Sequence, residues 1–123
     1  MKQHHLLIVD DEKRFADMLA KRLMLRGCRC DVSYCGRDAL KIITQKSFSL
    51  ILLDLHLPDI YGTEVLAGIK SVDSDTPVII LTGHGTEKDR KECMQQGAYD
   101  FMHKPLGIDE LMAILAQIAE TAA

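Results

Sequence analysis

Asp10, Asp11 and Glu12 follow the apolar run LLIV, Asp54 follows LILL, Thr82 follows VIIL, and His103, Lys104 and Pro105 follow YDFM. A carboxylate that closes a segment as apolar as LILL is costly to bury alone, so these groups make sense if the fold brings them to one rim. Several carboxylates within a few ångströms repel one another, and either protons or a cation must neutralise them. Hard oxygen donors with no cysteine close by favour Mg²⁺, which takes one or two carboxylates, keeps several waters and accepts phosphate oxygens. Lys104 supplies a mobile point charge suited to a phosphoryl oxygen. Thr82 supplies a short hydroxyl that can donate to a second oxygen. A carboxylate nucleophile, a divalent cation, a lysine and a hydroxyl describe phosphoryl transfer to Asp54, a reaction that asks mainly for positioning and charge neutralisation.

The elements that must position these groups are legible in the pattern. Residues 6–9, 29–33, 50–53, 78–81 and 99–102 are expected to be strands, and three of them are unbroken apolar runs, as in parallel strands covered on both faces. Helices are expected at 12–26, 37–46, 63–70, 86–96 and 108–120. The first places Phe15, Leu19 and Leu23 at i, i+4 spacing and stops at Gly27, and the fourth stops at Gly97. Strand and helix alternate five times with short connections, which predicts a doubly wound α/β sandwich. In such sheets ligands bind outside the carboxyl ends of the strands, where strand order reverses. That is where Asp10, Asp54, Thr82 and Lys104 fall.

Length and composition narrow the classes. The chain fits one domain, 1–123, with a single core. At 47% hydrophobic and 27% charged residues it has the usage of an ordinary globular protein and not of a disordered one. A net charge of -3 without a basic run argues against direct nucleic-acid binding. No run approaches the ~18 apolar residues of a membrane span, and the first dozen residues hold no signal-peptide core. A cytoplasmic setting is expected, with Cys28, Cys30, Cys35 and Cys93 reduced, since they form no C-x-x-C pair.

These features together resemble the receiver domain of bacterial response regulators in two-component signalling, over essentially the whole chain. The acid pair lies in IVDDE, the acceptor in LLDLHLPDIYG, the hydroxyl in LTGHG and the lysine in YDFMHKP, in the family's order. The resemblance implies a flavodoxin-like (βα)5 fold with a five-stranded parallel sheet of order 2-1-3-4-5. It implies Asp54 as phosphoacceptor, with Mg²⁺ on Asp10, Asp11, Asp54 and the main-chain carbonyl of His56. Thr82 and Phe101 correspond to the family's switch pair, Lys104 to the lysine that pairs with the phosphoryl group, and Pro105 to a cis-proline. The implied role is a signalling switch and not a free-standing enzyme, although the domain supports its own aspartyl phosphotransfer and autodephosphorylation. Its partners would be a histidine kinase or phosphotransfer protein, and an output domain or downstream protein reached through the surface of the fourth helix, fifth strand and fifth helix. A homodimer is compatible with this reading.

Some features are individual to this chain. His56 and His84 stand two residues after the acceptor and the hydroxyl, positions that in receivers influence acyl-phosphate hydrolysis. Two readings stand: they are solvated loop histidines, or they cover the phosphoryl group and make its lifetime pH-dependent. Asp59 and Gly62 are read as turn residues. Helix 108–120 has no Lys or Arg, unlike the charged dimer interface of winged-helix regulators, and LTGHG and AYDF are similar to receivers attached to AAA+ activators or hybrid kinases. Two rivals share parts of the pattern. A haloacid-dehalogenase-like phosphatase needs a second Asp where His56 stands, and a flavodoxin-like cofactor binder needs a phosphate loop where Asp10, Asp11 and Glu12 stand.

Overall fold

The structure, a computed structural model, describes residues 3–122; residues 1, 2 and 123 of the expected 1–123 domain lie outside the described residues. Ten elements alternate along the chain: β1 (His5–Val9), α1 (Lys13–Leu25), β2 (Arg29–Ser33), α2 (Gly36–Ile42), β3 (Leu50–Leu53), α3 (Gly62–Val72), β4 (Val78–Thr82), α4 (Glu87–Gln95), β5 (Asp100–His103) and α5 (Ile108–Ala122). The strands form one parallel sheet in the order β2-β1-β3-β4-β5, which is the expected flavodoxin-like order.

The unbroken apolar runs follow from burial on both faces. Successive side chains of a strand point to opposite sides. Leu6 and Ile8 of β1, Leu50 and Leu52 of β3, and Ile79 and Leu81 of β4 pack with Leu19 and Leu23 of α1 and with Leu111 and Leu115 of α5. The alternate set, Leu7, Val9, Ile51, Leu53, Val78 and Ile80, packs with Ala39 of α2, Val65, Leu66 and Ile69 of α3, and Cys93 of α4.

Differences from the expected boundaries have local causes. α2 ends at Ile42 instead of 46, because the Thr44 hydroxyl turns back to donate to the Lys41 carbonyl at 2.7 Å and offers the backbone an alternative to the helix. β5 runs to His103, where Thr82 and His103 are register partners. Gly27 and Gly97 stop α1 and α4 as expected, each with φ in the left-handed region, at +91° and +96°. Thr86 caps α4 in a reciprocal box with Asp89.

Gly62, the first residue of α3, is required by close approach. A Cβ there would lie 2.6 Å from Leu55 Cα and 2.8 Å from the Asp54 carbonyl oxygen. Both are backbone atoms of the segment that leaves β3. Gly62→Ala is therefore expected to destabilise the protein by about 2 kcal/mol, as overpacking against backbone does, measured as a shift of the urea unfolding midpoint.

Candidate functional site

Register builds the site. Val9 pairs with Leu53, and the Asp54 N–H donates to the Val9 carbonyl at 2.9 Å, so β1 and β3 end side by side and deliver Asp10 and Asp54 to one place. Both carboxylates are buried, at 3% and 5% exposure. Lys104 follows β5 and donates its own N–H to the Thr82 carbonyl at 3.0 Å. Its ammonium then reaches Asp10 Oδ2 and Glu12 Oε1, each at 2.7 Å, with Asp54 Oδ2 at 3.6 Å. The face of the Phe15 ring lies below it, 4.5 Å from Nζ to the centroid. The Lys104–Pro105 peptide bond is cis, as expected.

One oxygen each from Asp10, Glu12 and Asp54 lies within 4.8 Å of the others, and among the described residues no second group of three or more His, Cys, Asp and Glu donors gathers in this way. Three carboxylates thus face one ammonium, and Asp54 Oδ1 is buried with no hydrogen-bond partner. Burial pushes the Asp10 carboxyl up from its ordinary value, against the pull of its bonds from Lys104 and from the Glu12 N–H. Glu12 is held below its ordinary value by its bond from Lys104. Burial opposes the charged form of Lys104, but its bonds to Asp10 and Glu12 leave it raised and fully protonated near neutrality. The signs differ. The Glu12 contact contributes stability above the ordinary carboxylate range and loses it as pH falls through the lowered pKa, whereas ionising Asp10 costs stability as pH rises toward its raised value.

This donor set fits a hard divalent cation: all oxygen, partly buried, net negative, with one Asp54 oxygen left without a partner. The residues present fit Mg²⁺ in particular, with Asp10 and Asp54 as carboxylate donors. Asp11 is exposed and stands outside the group of three. Glu12 takes the third place, a role the sequence reading left unassigned although the acid was visible in IVDDE. Glu12 is also the N-cap residue of α1, yet it makes no side-chain cap bond, because its carboxylate is engaged by Lys104.

The remaining expected residues line the same rim. Thr82 is fully buried, and its hydroxyl oxygen accepts the His84 N–H at 3.3 Å. Phe101 is half-buried, packs against the α2–α4 side of the core and meets His103 edge-on at 5.8 Å. Gly85 closes over both, since a Cβ there would lie 2.8 Å from Thr82 Cγ2 and 2.4 Å from Phe101 Cζ. His56 and His84 do come together, with ring centroids 6.3 Å apart, but the bond between them runs from His56 Nε2 to the His84 carbonyl at 2.9 Å. A carbonyl only accepts, so Nε2 carries the proton. The His56 ring also meets Tyr61 edge-on at 5.8 Å, and the Tyr61 hydroxyl donates to Asp89 Oδ1 at 3.1 Å.

Comparison with known proteins decides the family. The profile of the response regulator receiver domain matches residues 6–116. The chain belongs to the response regulator receiver domain family. This receiver is 37% identical over 113 residues to the uncharacterized transcriptional regulatory protein YkoG of Bacillus subtilis, covering 92% of this chain and 50% of that protein. It is 32% identical over 122 residues to the transcriptional regulatory protein GlrR of Escherichia coli K12, covering 99% of this chain and 28% of that one. The chain therefore spans half or less of these curated relatives. A CheY-like receiver domain protein of Methanospirillum hungatei superposes with a TM-score of 0.90 at 27% identity, covering 97% of this chain and 96% of that chain. A response regulator of Burkholderia pseudomallei, described with a phosphorylated aspartic acid, a calcium ion and citrate, superposes with a TM-score of 0.87 at 26% identity, covering 98% and 71%. Receivers are phosphorylation-dependent switches of two-component systems, and no helix among the described residues is long and apolar enough to cross a membrane.

The charge imbalance of the rim has a measurable cost. Asp54→Asn removes one of three carboxylates that face a single ammonium, and relief of their repulsion is expected to stabilise the metal-free receiver by about 1 kcal/mol. The gain should shrink when millimolar Mg²⁺ is present, because the wild-type acids then gain a cation. Urea unfolding with and without Mg²⁺ checks both signs.

Proposed function

We propose that Asp54 is the phosphoacceptor of this receiver. The observation that carries the reading is Asp54 Oδ1, a buried carboxylate oxygen without a partner at the mouth of the sheet's switch point, beside a lysine already committed to other acids. A phosphohistidine of a partner kinase or phosphotransfer protein is the donor. An Asp54 oxygen forms the new P–O bond as the P–N bond breaks, and the departing imidazole nitrogen takes up a proton. Asp10, Asp54 and the His56 carbonyl would hold Mg²⁺, with the exposed Asp11 completing the set in place of Glu12, which stays paired to Lys104, and the ion would supply neutralisation of the charge on the transferring phosphoryl oxygens. The Burkholderia protein, with its phosphorylated aspartic acid and calcium ion, supports this placement by similarity.

The chain's own residues do the rest. Lys104 lies 3.6 Å from Asp54, close enough for its ammonium to pair with a phosphoryl oxygen on the acceptor. Thr82 exchanges the His84 N–H for a phosphoryl oxygen, and its departure from the loop makes room beneath Gly85 that Phe101 fills. The surface of α4, β5 and α5 changes with it, and an output domain or downstream protein, or a second copy of the receiver, reads the change. The effect depends on differential contacts in the two states and not on the added charge alone. The domain binds no nucleic acid directly in this reading, and it acts in the cytoplasm, where its four thiols stay reduced.

Incubation with Mg²⁺ and phosphoramidate or acetyl phosphate, followed by intact-mass measurement, tests the assignment. Wild type is expected to gain one phosphoryl group that is lost in base, and Asp54→Ala none. Lys104→Ala is expected to slow the gain by roughly a hundredfold, as removal of one preorganised charge partner does. Equal labelling of wild type and Asp54→Ala, or failure of the wild type both to label and to bind beryllofluoride, would sink the reading.

A further inference from the structure

The segment that leaves Asp54 for α3 carries the acceptor at one end and the His56 carbonyl two residues further on, and it is fastened on both flanks. On one flank is the His56 bond to the His84 carbonyl. On the other, Asp59 reaches out of its own loop. Its Oδ1 accepts the Gly36 N–H at 2.8 Å, its Oδ2 accepts the Arg37 N–H at 2.9 Å, and Oδ1 also accepts the Ile60 N–H at 2.9 Å. Gly36 and Arg37 open α2, whose own N-cap residue, Cys35, makes no side-chain cap bond. The first donors of α2 are thus satisfied by a carboxylate 23 residues along the chain.

The contact is tight as well as polar. A Cβ on Gly36 would lie 2.8 Å from Val65 Cγ2 and 3.2 Å from Ile60 Cγ1, so the start of α2 rests directly on the acceptor loop and on α3. Desolvation works against the Asp59 carboxylate, but the Arg37, Gly36 and Ile60 N–H groups hold its carboxyl below the ordinary value. Within the loop, the Gly62 N–H donates to the Leu55 carbonyl at 2.8 Å and His56 bridges to Tyr61, which closes residues 55–62 on themselves. A turn residue would have needed none of the bonds to α2.

We propose that Asp59 is a positioning residue for the acceptor loop: by capping α2 from a distance it fixes residues 55–61, and with them the His56 carbonyl, relative to Asp54. The proposal rests on the reading of the rim as a cation and phosphoryl site and adds a residue that touches neither. Loss of the clamp leaves the acid cluster intact and its carbonyl donor loose. Cation affinity therefore falls, although no carboxylate of the cluster has changed.

The test reads Mg²⁺ affinity on the unphosphorylated receiver, by amide chemical-shift titration of wild type, Asp59→Ala and Asp59→Asn. Lys41→Gly, an exposed change in α2, serves as a control that weakens the helix without touching Asp59. Asp59→Ala is expected to weaken Mg²⁺ binding roughly tenfold, the scale carried by outer partners of a metal site. Asp59→Asn should recover most of it, because one oxygen still accepts the Gly36 and Ile60 N–H groups. Lys41→Gly should lower the thermal midpoint and leave the affinity unchanged. Equal affinities for wild type and Asp59→Ala, or equal losses in Asp59→Ala and Lys41→Gly, would overturn the proposal and leave Asp59 a helix cap. If the wild type takes up no Mg²⁺, the reading of the rim fails instead, and hydrogen exchange at the Gly62 amide decides the clamp. Faster exchange in Asp59→Ala than in Lys41→Gly supports it, and equal exchange overturns it.

Discussion

The ammonium of Lys104 is what allows this chain to end two buried strands on carboxylates. Asp10 and Asp54 sit at 3% and 5% exposure, where an unpaired polar group is costly to bury. Lys104 meets Asp10 and Glu12 at 2.7 Å and holds off Asp54 at 3.6 Å, so one cation serves three anions. The deficit falls on Asp54 Oδ1, which is left with no partner. The donor set fits a divalent cation, because a second positive charge is what the arrangement of three carboxylates and one ammonium lacks.

The sheet makes the arrangement stiff enough to matter. Its central strands are covered on both faces by two separate apolar clusters, so the ends of β1 and β3 cannot shift without disturbing packing on both sides. Stability and reactivity are therefore drawn from different parts of the molecule. Leucine and isoleucine fill the layers, while the carboxyl ends of the strands hold the strained electrostatics. The close approach at Gly62 ties the two together, since the backbone of Asp54 and Leu55 leaves no room for a side chain on the first residue of α3.

Around the rim, the loops are joined by contacts that bypass the sheet. Thr82 accepts from the loop that follows it, Gly85 lies against Thr82 and Phe101, and His56 reaches across to the His84 carbonyl. Tyr61 continues the chain of contacts to Asp89, which also caps α4 through Thr86. The Thr82 hydroxyl is held by the His84 N–H, in the loop that leads on to Thr86 and the start of α4. These contacts join the loops after β3 and β4 to the start of α4.

Sequence alone determined the alternation of strands and helices, the stops at Gly27 and Gly97, and the delivery of Asp10, Asp54, Thr82 and Lys104 to strand ends. These are properties of local pattern, in which apolar periodicity and the residue after each run carry the information. Strand order and the cis bond before Pro105 were legible only through resemblance to a family. Glu12 as a partner of Lys104, 92 residues away, Asp59 as the cap of α2 and Tyr61 as a donor to Asp89 were decided by the tertiary structure. Each is a polar side chain whose local reading, a helix-start acid, a turn acid or a loop tyrosine, is satisfied equally well by water. Only the packing of the sheet, which sets where strand ends and loops meet, determines which partner each of them finds.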